Sequence, residues 1–73
     1  MSNFTYEVKE SLGLIAESET GWKKELKIIS WNNNIPKYDI RDWSPDCKKM
    51  GKGLTFSKEE IIKLKEILQE IEL

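Results

Sequence analysis

The sequence predicts a small α+β domain: a curved antiparallel sheet of four strands followed by one C-terminal helix. Three observations predict it. Apolar residues alternate near the N-terminus, two strand-like runs flank Asn32-Asn33-Asn34, and Ser57 with Glu60 opens an amphipathic stripe. At 73 residues the chain is read as a single domain, 1–73, with no linker, repeat or low-complexity segment.

Each element has its own justification. From Phe4 to Ala16 apolar residues recur at even positions: Phe4, Tyr6 and Val8, then Leu12, Leu14 and Ala16. Period two predicts one strand, or two short strands bent near Gly13. Ser18-Glu19-Thr20-Gly21 is a turn cluster. The second strand runs from Trp22 to Trp31 and the third from Ile35 to Trp43. With a three-residue loop between them, Ile28 faces Tyr38 and Leu26 faces Ile40, while Lys27 faces Asp39 and Glu25 faces Arg41. A two-residue loop would place Ile28 opposite Asp39 and mix the two faces, so cross-strand pairing selects the first register.

That register puts Leu26, Ile28, Tyr38 and Ile40 on an apolar face, to which Trp22 is added as a core residue. Lys23, Glu25, Lys27, Ile29, Trp31, Lys37, Asp39, Arg41 and Trp43 share the opposite face. Pro45 ends the third strand because it supplies no ladder donor, and Leu54 to Phe56 is a short fourth strand. In the helix, Ser57 and Glu60 form a capping box, Phe56 and Ile61 a hydrophobic staple, and Ile61, Leu64, Ile67, Leu68 and Ile71 one apolar stripe.

One helix about 10 Å across does not cover a four-stranded sheet about 19 Å wide. Ile61, Leu64, Leu68 and Ile71 follow the spacing of a helix that packs on a twin, and a chain this small gains much from a second copy. A homodimer through the C-terminal helix is therefore expected.

Charge is segregated. Residues 21–52 carry seven lysines and one arginine against one glutamate and three aspartates, a net +4, whereas the whole chain is −1. The middle third, not the whole, suits a polyanion. Catalysis has little to work with, since there is no histidine and Gly51-Lys52-Gly53 falls short of a phosphate-binding loop. Asp39 and Asp42 point to opposite sides of one strand and do not converge on a metal, and Cys47 is read as an ordinary loop thiol. No cofactor, metal or catalytic group is expected. No apolar run approaches the ~20 residues of a membrane span and the first ten residues lack a signal pattern, so a cytoplasmic protein is expected.

Trp31 and Trp43, with Lys23, Lys27, Lys37, Arg41, Lys48, Lys49 and Lys52, form the pattern that could carry function. Exposed aromatics stack unpaired bases and interleaved cations follow the backbone. Two readings stay open on the pattern alone. One is a surface for single-stranded DNA, or for RNA, since stacking does not distinguish the sugars. The other is a protein-interaction module whose tryptophans are hot spots.

The segments Lys23-Lys24-Glu25-Leu26, Trp31, Tyr38-Asp39-Ile40-Arg41-Asp42-Trp43 and Lys49-Met50-Gly51-Lys52-Gly53-Leu54-Thr55 resemble the PC4-type transcriptional coactivator family, especially its short bacterial YdbC-like branch. The resemblance runs from about Trp22 into the helix. It implies a PC4-like homodimer joined through the helix, binding single-stranded DNA with little sequence preference. It carries the family's binding aromatics to Trp31 and Trp43 and its lysine between glycines to Lys52. Asp42-Trp43 is one residue tighter than the family's acidic-aromatic-aromatic run. The basic, serine-rich regulatory tail of coactivator members has no counterpart, so a coactivator role does not carry over.

Overall fold

A computed structural model describes residues 4–73. The chain forms β1 (Tyr6–Glu17), β2 (Lys23–Trp31), β3 (Lys37–Trp43), β4 (Met50–Phe56) and α1 (Lys58–Glu70). The strands make one antiparallel meander in the order β1-β2-β3-β4, and α1 packs against β3 and β4. No described helix is long and apolar enough to cross a membrane.

The β2–β3 register is the expected one: Ile28 pairs with Tyr38, Leu26 with Ile40, Lys27 with Asp39 and Glu25 with Arg41. The hairpin opens wider than a three-residue loop, however, because the last pair is Ile29 with Lys37. Pro36 has no N–H to offer Ser30, and the Ser30 hydroxyl instead donates to the Asn34 carbonyl at 2.7 Å. Asn32 and Asn33 adopt φ of 50° and 63°, the left-handed conformation asparagine tolerates.

β1 is one strand, not two, and it is irregular. Register shifts occur between Val8 and Glu10, Ser11 and Gly13, and Leu14 and Ala16. Each shift leaves one extra residue on β1: Lys9, Leu12 and Ile15. Such bulges bend a strand and strengthen its twist. β4 starts at Met50 rather than Leu54, because a bulge admits the glycine-rich segment into the ladder. Gly53 sits so close to β3 that a Cβ there would lie 2.7 Å from Arg41 Cβ and strike the Ile40 carbonyl oxygen.

The curl is visible in the side chains. Tyr6 pairs with Trp31 at one end of β2 and Trp43 pairs with Lys23 at the other. On a flat sheet that offset would be about 26 Å, yet the Tyr6 and Trp43 rings are 5.9 Å apart. The sheet therefore wraps around the face bearing Lys27, Ile29, Asp39 and Trp43, here called the inner face, and buries those residues without a covering layer.

This corrects the expected division of labour. Sequence reasoning seals the apolar face and leaves the tryptophans facing water, but the buried hydrophobic residues among those described are Ile29 and Trp43, both on the charged face. Bulge-driven curvature, which leaves no mark on apolar alternation, is the reason. Trp22, expected in the core, is half-buried on the outer face beside Gly51.

α1 starts with the expected capping box: the Glu60 amide donates to Ser57 Oγ at 3.2 Å and the Ser57 amide donates to Glu60 Oε1 at 2.8 Å. None of its residues is buried. Between α1 and the outer face runs a groove of about 660 Å³, lined by Leu26, Tyr38, Ile40, Ile61, Leu64 and Leu68 among others.

Candidate nucleic-acid interface

Four aromatic rings meet on the inner face. Phe4 lies 5.5 Å from Trp31, Tyr6 lies 5.7 Å from Trp31, and Tyr6 reaches Trp43 at 5.9 Å. These separations lie within the roughly 4.5–7 Å that aromatic pairs favour, and the rings tilt by 36° to 50°. Two hydrogen bonds to Asn32, one to its side chain and one from its backbone, hold the N-terminal pair in place. The Thr5 amide donates to Asn32 Oδ1 and the Asn32 amide donates to the Thr5 carbonyl, both at 2.8 Å. Residues on either side of Thr5 in an extended segment project to one side, which sends Phe4 and Tyr6 over Trp31.

An ionic layer lies beside the rings. Asp39, fully buried, accepts from Arg41 Nε at 3.0 Å, from Arg41 Nη2 at 3.1 Å and from the Thr55 hydroxyl at 2.9 Å. Arg41 Nη1 donates to the Gly51 carbonyl at 3.0 Å. The missing side chain at Gly53, opposite Arg41, lets β4 approach closely enough for this bond. Held this way, the guanidinium stands 5.1 Å from the Trp31 ring centre. Lys27 Nζ lies 4.0 Å from the centre of the Trp43 ring and 3.9 Å from Glu25 Oε1. A cation stacked on an indole and shielded from water is favourable by about 2 kcal/mol or more.

The exposed cations lie farther out. Lys37 is exposed and lines a shallow depression of about 310 Å³ with Trp31, Asn34, Ile35 and Thr55. Lys23 is half-buried opposite Trp43, and Lys52 is exposed in the β4 bulge. Lys48 and Lys49 are exposed on the β3–β4 loop, which is shaped by Asp46. Ser44 Oγ donates to Asp46 Oδ1 at 2.6 Å and the Lys48 amide donates to the same oxygen at 3.0 Å. The Ser44 bond, then the Lys48 amide, and more weakly the Lys49 charge, hold the Asp46 carboxyl below the usual aspartate range.

The structure thus brings Lys23, Lys27, Trp31, Lys37, Arg41 and Trp43 onto one curled face. It does not leave them equivalent. Trp43 is 1% exposed rather than open to water, and Lys27 and Arg41 are engaged by Glu25 and Asp39. Trp31 is half-buried, and both indole Nε1–H groups lack an acceptor among the described residues. Sequence reasoning missed Phe4 and Tyr6 as members of this face. Their even-position alternation marked a strand, but the pairing of Tyr6 with Trp31 depends on the bulges of β1. Among the described residues, no three metal-ligating side chains converge.

Comparison with known proteins bears on this face. The family model described as Transcriptional Coactivator p15 (PC4) matches residues 18–67, which span β2, β3, β4 and most of α1. An uncharacterized protein of Treponema pallidum (strain Nichols) is 49% identical over 71 residues, covering 97% of this chain and 84% of that protein.

Proposed function

The chain belongs to the PC4 family, and from that membership together with the inner face we propose that it binds single-stranded DNA with little regard for sequence. The observation that carries the proposal is the aromatic cluster beside Arg41 and Lys37 on a face that no helix covers. Trp31, half-buried and flanked by a guanidinium, offers a base the part of its ring that solvent reaches. Lys23, Lys37, Lys48, Lys49 and Lys52 follow the phosphates. Lys27 and Arg41, engaged by Glu25 and Asp39, hold the indoles in position. Trp43 supports the site from beneath.

A second copy completes the molecule. The α1–sheet groove and the stripe of Ile61, Leu64, Leu68 and Ile71 are the surfaces through which two chains would join. Leu68 and Ile71 are 48% and 46% exposed in the single chain, an apolar exposure that a twin helix would remove.

Fluorescence anisotropy with a dT oligomer and a matched duplex tests the function. If five lysines neutralise phosphates, affinity for dT should fall roughly 100-fold between about 50 and 200 mM salt. The duplex should bind more weakly at both concentrations. Absence of dT binding at low salt, or binding indifferent to salt, would contradict the proposal. A matched RNA oligomer in the same titration separates the two nucleic acids.

A further inference from the structure

We infer that Phe4 and Tyr6, at the start of β1, are base-stacking residues of this surface, and that Trp43 is the floor beneath them rather than a platform. The inference rests on the single-strand reading of the inner face. A ring stacks on a base only through a face that solvent reaches. Trp43 is 1% exposed, with Lys27 Nζ 4.0 Å from its centre and the Tyr6 ring 5.9 Å away. Phe4 and Tyr6 are 53% and 36% exposed. Both contact Trp31, so exposed Phe4 and Tyr6 flank the half-buried Trp31 in one continuous set of rings, and Tyr6 lies against the buried Trp43.

The two rings are also pre-positioned. The paired bonds between Thr5 and Asn32 fix the backbone between them. A ligand then meets side chains already ordered, which lowers the entropy cost of binding. Both residues precede the matched segment, which begins at residue 18. The long bulged β1 therefore adds to the platform a stacking pair that the family match does not include.

The test compares wild type, Phe4→Leu/Tyr6→Leu and Tyr6→Phe by anisotropy with a fluorescein-labelled dT oligomer, with folding followed by circular dichroism and thermal melting. Leucine keeps an apolar cover over Trp43 but offers no aromatic face. The double variant should bind about 5- to 100-fold more weakly, with the slope of affinity against salt unchanged because no cation is lost. Tyr6→Phe, which retains the ring, should rescue binding. A folded double variant with wild-type affinity overturns the stacking role while leaving the function intact. Wild-type protein that does not bind dT overturns the function itself, and the stacking role with it. Should the double variant not fold, Phe4→Leu alone carries the test: a loss of about threefold or more supports the role and unchanged affinity overturns it.

Discussion

Removing the Asp39 carboxylate would strand two Arg41 N–H groups and the Thr55 hydroxyl at once. Asp39 is fully buried and the Arg41 side chain is 17% exposed, so the orphaned guanidinium could not recover full hydration. Asp39→Ala should therefore cost about 3–5 kcal/mol of stability, the range seen when one partner of a buried ion pair is deleted. Urea denaturation measures it, and a cost below about 1 kcal/mol would show that the pair does not organise the inner face. Gly53 belongs to the same arrangement, since any side chain there collides with Arg41 and the β3 backbone. The sequence displays Asp39, Arg41 and Gly53 openly, and the β2–β3 register put Asp39 and Arg41 on the correct face. The closure of their network was not legible, because it depends on how near β4 approaches, and that distance follows from the Gly51–Lys52 bulge.

Among the elements, β1 and α1 divide the work. β1 is an edge strand whose extra residues, Lys9, Leu12 and Ile15, recur every third position and wrap it around the inner face. The even-position recurrence in the sequence conceals this: Leu14 and Ala16 share parity, yet Leu14 pairs with Glu25 of the inner face and Ala16 with Lys24 of the outer. α1 is the opposite case. Its capping box and apolar stripe were readable because both depend on residues only three or four apart. If that stripe joins two chains, Leu68→Glu places a charge in the seam and should convert a dimer to a monomer in sedimentation velocity at micromolar concentration. A wild-type protein that sediments as a folded monomer under those conditions would remove the helix-mediated dimer.

At the scale of the whole molecule, curvature decides which side chains become core. A flat sheet would have exposed Trp43 and let the helix side carry the hydrophobic burial. The curled sheet buries Ile29, Asp39 and Trp43 on a face no helix covers, while Leu54 at 66% and Ile67 at 49% exposure stay open on the single chain. One surface thus serves both as the interior of the monomer and as the proposed seat of nucleic acid, with its outer rings and lysines at the rim. The measurement closest to this claim is an NMR titration of the labelled protein with dT oligomer. The Trp31 indole N–H and the amides of Tyr6, Lys37 and Thr55 should shift together, while Leu64 and Leu68 in the helix groove hold still. Shifts confined to α1 and the groove, with the Trp31 indole unmoved, would contradict it.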